Sequence, residues 1–187
     1  MLIRALFITL FTFLVTSPVF AESDAEADQA ALKVLLASDV VSKFHNSAYG
    51  YAIFPTIGKA GIGIGGAHGT GRVYQGGKKT GEVSMTQLTI GFQLGGQAYR
   101  QVIYFEDKRA FDDFTSGNFE FGAQAEAIAI TSSAGASAGS EGTSASANAT
   151  QAESKYHKGI IVFAMGKGGL MYQATLGGQK YSYTPSK

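Results

Sequence analysis

AYGYAIFPTIGKAGIGIGGAHGTGRVY, residues 48–74, decides the fold. Glycine recurs through it between short apolar and aromatic runs, and fourteen of the chain's 25 glycines fall between Tyr49 and Gln97. Glycine at alternate positions of an extended chain leaves one face bare, so that another backbone, an aromatic ring or a ligand can come close. Ala60, Ile62 and Ile64 stand opposite Gly61, Gly63 and Gly65; farther on, Leu88, Ile90, Phe92 and Leu94 alternate with Gln87, Thr89, Gly91 and Gln93. A period of two is that of half-buried strands, with the apolar set turned inward. Turn signals at Pro55-Thr56, Gly69-Thr70-Gly71, Gly76-Gly77-Lys78-Lys79 and Gly95-Gly96 cut the stretch into short strands. Their spacing predicts antiparallel hairpins rather than crossover units.

On the N-terminal side, Asp24 to Phe44 is rich in helix formers, with Leu32, Leu35 and Leu36 on one face. Continuing one helix would carry Asp39 and Lys43 onto that face, so a break is expected at Ser38-Asp39, either of which can cap a second short helix. On the C-terminal side, Gln97 to Phe105 reads as a strand. Glu106-Asp107 then supplies an N-cap for a short helix carrying Phe111 and Phe114, stopped at Ser116-Gly117-Asn118. Within 123–152, alanine alternates over Ala123–Ala129, Ala134–Ala138 and, beyond Gly139-Ser140-Glu141-Gly142, Ala145–Ala149, which predicts a hairpin where composition alone reads as a linker. KGIIVFAM (158–165) is a short apolar run suited to a strand buried on both faces, followed by strand-like GLMYQATLGG (169–178) and QKYSYT (179–184). The expected class is mainly β, an antiparallel barrel-like or sandwich core with short N-terminal helices and one short helix near Phe111.

The chain opens MLIRALFITLFTFLVTSPVFAESDAEA (1–27), with Arg4, an apolar stretch and Val19-Phe20-Ala21 before the first acid. This is the pattern of a secretory signal peptide over residues 1–21, leaving one domain over 22–187. A membrane anchor is the competing reading, but Ala5 to Phe20 is sixteen residues and contains three Thr, a Ser and a Pro, against the roughly 20 apolar residues of a spanning helix. The expected location is therefore the periplasm or the outside of the cell. The sequence has no cysteine, which excludes disulfides, thiolate nucleophiles and thiolate metal sites. With 15 Lys and Arg, Arg4 of the signal among them, against 14 Asp and Glu, net charge is near zero and gives no global field for nucleic acid or anionic membrane, so any electrostatic binding must come from local patches.

Gly61-Ile-Gly63-Ile-Gly65-Gly66 matches the dinucleotide pattern GxGxxG, but that fingerprint works where a strand gives way to a helix, and AHGTGRVYQGG cannot begin one. No nucleotide site is expected. His45, His68 and His157 share no metal-ligand spacing, and no GxSxG elbow occurs. Asp112 and Asp113 are neighbours on a helix, about 100° apart, and make a solvated face rather than an acid/base pair. No enzymatic chemistry, metal or cofactor is expected. Positive charge gathers at loop ends, among them Lys78, Lys79, Lys108, Arg109, Lys155 and Lys167.

Residues 48–74, SMTQLTIGFQLGGQAYRQVIYFEDKRAFDDFTSGNFEFGAQA (84–125) and YHKGIIVFAMGKGGLMYQATLGGQKYSY (156–183) resemble the SYLF domain, a lipid-binding family with fungal members known as actin regulators and exported bacterial members. The likeness runs from about Ala30 to Tyr183 and rests on FPxxxKAGxGxGG, on Ile90-Gly91-Phe92-Gln93-Leu94-Gly95-Gly96-Gln97 and on Lys158-Gly159. It implies phospholipid or membrane-surface binding through an N-terminal helical region and nearby basic surface. Carried over by position, that points to Leu32, Lys33, Leu35, Leu36 and Lys43, to Lys59 in the KAG motif and to Lys158 in the KG motif. The alternative is a structural or protein-interaction scaffold of the periplasm or cell surface, whose glycine faces serve sheet packing alone.

Overall fold

The computed structural model describes residues 23–91, 96–122, 125, 127–130, 154–167 and 176–187. The expected signal peptide, most of the alanine-rich hairpin and most of 169–178 lie outside them. Two helices, α1 (Asp24–Leu35) and α2 (Asp39–Ser47), precede β1 (Gly50–Gln75), β2 (Lys78–Gly91) and β3 (Gly96–Phe105). Then come α3 (Lys108–Thr115), β4 (Asn118–Glu120), β5 (Ile128–Ala129), β6 (Ile160–Gly166) and β7 (Gln179–Pro185). The strands form one curled sheet in the order β4-β7-β2-β1-β3-β6-β5. All pairings are antiparallel except that of β5 with β6. The mainly β architecture with three small helices is the class expected from the sequence.

The helix break falls where Asp39 and Lys43 required it: α1 ends at Leu35 and α2 begins at Asp39, with Ser38 in the N-cap position but making no side-chain cap bond. Ser23 starts α1 with a reciprocal capping box to Glu26. Asp107 caps α3 by accepting from the Ala110 N–H at 2.8 Å, and Phe111 and Phe114 are buried as the spacing required.

The glycine-rich strand departs from expectation. β1 is not interrupted at Pro55-Thr56 or at Gly69-Thr70-Gly71; it doubles back at Gly61–Gly65. A Cβ on Gly50 would stand 2.8 Å from the Tyr74 carbonyl oxygen and one on Gly69 would stand 2.9 Å from that of Thr56. One on Gly71 would strike the Ile53 carbonyl, and one on Gly61 the Gly65 backbone. The two arms thus run side by side, with the Tyr51 and Tyr74 rings stacked across them at 5.1 Å. The first arm pairs with β3 and the second with β2. Pro55 and Thr56 form a bulge: Phe54 pairs with Gln101 and Ile57 with Tyr99, so two residues oppose Arg100 alone. The expected turn at Gly76-Gly77 is present, both glycines at positive φ (55° and 77°), as a two-residue hairpin loop whose twist matches its strands requires.

Each face of the sheet carries a packed core. On the inner face, Phe114 meets the rings of Phe105, Phe119 and Tyr181 at 4.9, 5.3 and 5.2 Å, and Ala52, Phe54, Ile57, Val83 and Met85 complete the core. The outer face carries a second core, where α1 and α2 set Ala31, Leu35, Val41 and Phe44 against Ile53, Val102, Tyr104 and Phe163. Polar side chains also cross the inside of the curl. Gln101 on β3 donates to the Tyr181 hydroxyl at 2.8 Å and to Gln179 Oε1 at 3.3 Å on β7, though β1 and β2 separate those strands in the sheet. Gln179 donates in turn to Tyr99 Oη and Gln87 Oε1. At the end of the sheet nearest Gly91 the expected polarity is reversed: Gln87 is buried, while Leu88 and Ile64 are solvent-exposed.

Candidate functional site

The outer face divides into a roofed half and a bare half. α1 is fastened to the roofed half through Asp28, buried on its inner side. Arg72 Nε donates to Asp28 Oδ2 at 2.8 Å, Arg72 Nη2 donates to Asp28 Oδ1, and the Tyr74 hydroxyl donates to Oδ2 at 2.6 Å. Arg72 also reaches the Asp24 carboxylate and carbonyl, each at 3.1 Å. The hydrogen bond to Asp28 raises the guanidinium pKa against its burial, and burial, then the bond to Asp28, pushes the Tyr74 phenol up. The single carboxylate thereby satisfies a cation and a hydroxyl in a dry site.

His45 of α2 lies against the Tyr51 and Tyr104 rings, at 5.2 and 5.7 Å. Burial holds its imidazole below the ordinary value of 6.5. The unfolded chain therefore binds the proton first. Stability is full above about pH 6.5, falls as pH drops toward the lower folded value and levels off beneath it. We expect the melting temperature to fall less for His45→Phe than for the wild type between about pH 7.5 and about pH 5; identical losses would contradict this assignment.

The bare half lies toward the β1 tip. Register places Thr86 beside His68 and Leu88 beside Gly66, Lys180 beside Thr86, and Gly58 and Ala60 beside Ala98 and Gly96. No described helix covers them. They line an open groove of roughly 940 Å³. The groove's glycines differ from those that let the β1 arms meet. A Cβ on Gly58 would meet nothing within 4 Å, and one on Gly66 or Gly96 would meet a backbone oxygen only at 3.5 or 3.9 Å. Packing does not demand glycine there.

Between groove and roof stands Arg100, opposite the Pro55-Thr56 bulge. Among the described residues its Nη1 donates to the Met165 sulfur alone, at 3.8 Å, and its buried Nε has no hydrogen-bond partner. Burial lowers the guanidinium pKa, and no carboxylate among the described residues pairs with it. Lys167 crosses the same region: its backbone N–H donates to the Ala98 carbonyl at 2.8 Å and its ammonium to the Thr56 hydroxyl.

The residues named from the sequence do not form one site. Leu35 is fully buried beneath α1, Leu32 and Leu36 are half-buried, and Lys33 and Lys43 are exposed on the helices. Lys59 alternates with Gly58 and Ala60 onto the inner side, 7% exposed, where burial lowers its ammonium pKa. Lys158 sits in a left-handed turn at φ 52°, with Arg109 donating to its carbonyl at 3.2 Å. Arg100 and Thr56 had no distinguishing signal, because Tyr99-Arg100-Gln101 reads as ordinary alternation and Pro55-Thr56 as a turn. Among the described residues no group of His, Asp and Glu could hold a metal, and no helix is long and apolar enough to cross a membrane. Asp112 and Asp113 are exposed and engaged by Lys108 and Arg109.

The motifs resemble the SYLF domain, and the comparisons agree. The model of the family described as Ysc84, Las17-binding protein actin regulator, matches residues 86–186, just over half of the chain. The chain belongs to this family, of SYLF type. It is similar to Beta cell expansion factor A of Aeromonas veronii, 30% identical over 158 residues, which are 83% of this chain and 53% of that protein. The chain thus spans about half the length of the curated relative it matches. Family membership points to a role of lipid-binding or actin-regulator type.

Proposed function

We propose that the chain is a non-enzymatic, exported domain that binds phospholipid at a membrane surface of the bacterial envelope, through the bare half of its outer sheet face. One observation carries this reading: Ile64 and Leu88, 74% and 85% exposed, stand on that face beside the groove. Large apolar side chains exposed at a small-residue groove, with Arg100 and Lys167 toward its roofed end, fit a surface that meets both acyl chains and anionic headgroups. The family's lipid-binding type supports it. A structural scaffold is the second reading, favoured by the dispersal of Lys33, Lys43, Lys59 and Lys158 over separate parts of the fold.

The chain is expected to co-sediment with vesicles containing anionic phospholipid more than with neutral ones, and less as salt is raised. Replacing Leu88 with Asp should reduce the sedimented fraction severalfold. Failure to sediment with either vesicle would leave the scaffold reading.

A further inference from the structure

Resting on that lipid reading, we propose that Arg100, Lys167 and Thr56 form the phosphate-binding end of a site for one phospholipid molecule, whose acyl portion lies along the groove floored by Gly58, Gly66 and Ala98. A guanidinium taken partly out of water with no anionic partner is costly, and folded chains seldom leave one so unless something pairs with it. Arg100 is in that condition, with a buried Nε–H that has no acceptor. An N–H donor with no acceptor, and no carboxylate paired with it among the described residues, matches the oxygens of a phosphoryl group. The bulge brings Thr56 opposite Arg100, and Lys167 already spans to the Thr56 hydroxyl. Thus a second cation and a hydroxyl lie on the same face.

Next along this face come Gly58 and Ala98, a paired position on the groove floor. Same-face positions on a strand are about 6.6 Å apart, so a phosphate on Arg100 leaves its substituent at the groove. The floor's glycines support the same assignment. The glycines where the β1 arms meet are demanded by backbone contact, whereas a side chain at Gly58 would enter open space. Strands disfavour glycine. What its absence of a side chain does at position 58 is keep the floor clear. The far wall is no rival anion site, because Lys180 there is engaged by Glu120 at 3.6 Å.

The test uses the full chain, dihexanoyl phosphatidic acid as soluble lipid, glycerol 3-phosphate as its headgroup without chains, and phosphatidylcholine vesicles with and without phosphatidic acid. Dihexanoyl phosphatidic acid is expected to shift the Arg100 Nε–H resonance, and Arg100→Gln and Lys167→Gln each to weaken its binding about tenfold or more. Arg100→Lys should keep part of the affinity. Gly58→Leu should weaken the lipid while leaving glycerol 3-phosphate binding as it was, and Lys108→Gln should change nothing. Because Arg100→Gln removes an unpaired charge, its melting temperature should be no lower than the wild type's; a clear fall would make Arg100 a structural residue and overturn the site. If Arg100→Gln and Lys167→Gln bind phosphatidic acid vesicles as the wild type does, the site falls while the membrane reading stands. Glycerol 3-phosphate binding as tightly as the lipid would make the ligand a free phosphate ester and remove the acyl assignment. If the wild type binds neither soluble lipid nor vesicles, site and reading fail together.

Discussion

Replacing Asp28 with Ala is expected to lower stability by about 3–5 kcal/mol, which for a domain of this size is a fall of roughly 10 °C or more in melting temperature. The reason is what the substitution leaves behind. Arg72 is only 6% exposed at its side chain and Asp28 only 5%, so the variant retains a guanidinium with little access to water and a Tyr74 hydroxyl without its acceptor. Asp24 remains, but it is 75% exposed and holds Arg72 through one side-chain contact at 3.1 Å, too weak in solvent to replace the buried partner. Arg72→Met should be comparably harmful for the converse reason. The pair Asp28→Leu with Arg72→Met should recover much of the loss, since apolar groups of similar volume often match or exceed a buried ion pair. Thermal unfolding of the three variants checks this; additive losses in the double variant would show that the ion pair does not fasten α1 to the sheet.

Gly71→Ala should be among the most damaging single methyls that can be added to β1, and Gly58→Ala among the least. At Gly71 the new carbon would strike the Ile53 carbonyl oxygen and lie 2.8 Å from the Phe54 ring. Both obstacles belong to the opposite arm of the same hairpin, and a paired backbone cannot swing aside as the end of a lysine can. Such overpacking costs about 1–3 kcal/mol and sometimes more, and here the arms that must part also carry the pairings to β2 and β3. At Gly58, with nothing within 4 Å, the change should stay within about 0.5 kcal/mol or be slightly stabilising. Chemical denaturation of the two variants measures the contrast. Equal losses would mean that the arms do not meet at Gly71.

The strands, the helix break at Ser38-Asp39 and the capped helix around Phe111 were legible because each rests on local chemistry: side-chain period, a capping oxygen, a residue that cannot continue a face. The turn inside residues 48–74 was misplaced for a physical reason. Pro55 usually ends a strand, yet here it occupies a bulge, where its missing N–H is harmless; Gly69 and Gly71 serve lateral contact instead of reversal. The inward face of β2 was misread because Leu88 is apolar and Gln87 polar, and only the partner strands reveal that Gln87 has Gln179 and Gly177 to bind within the curl. The candidate site was least legible. Arg100 matters through what it lacks, and the absence of a partner is a property of three dimensions.

The glutamine and tyrosine bonds from β3 to β7 act as a tie-rod across the arch of the sheet. Strands with two others between them are held at fixed separation, so the arch resists flattening when something presses on its outer side. A surface supported in this way meets its ligand with little conformational freedom left to lose. Whatever seats itself over Gly58 and Gly66 must do the adapting, and selection there rests on the ligand's shape.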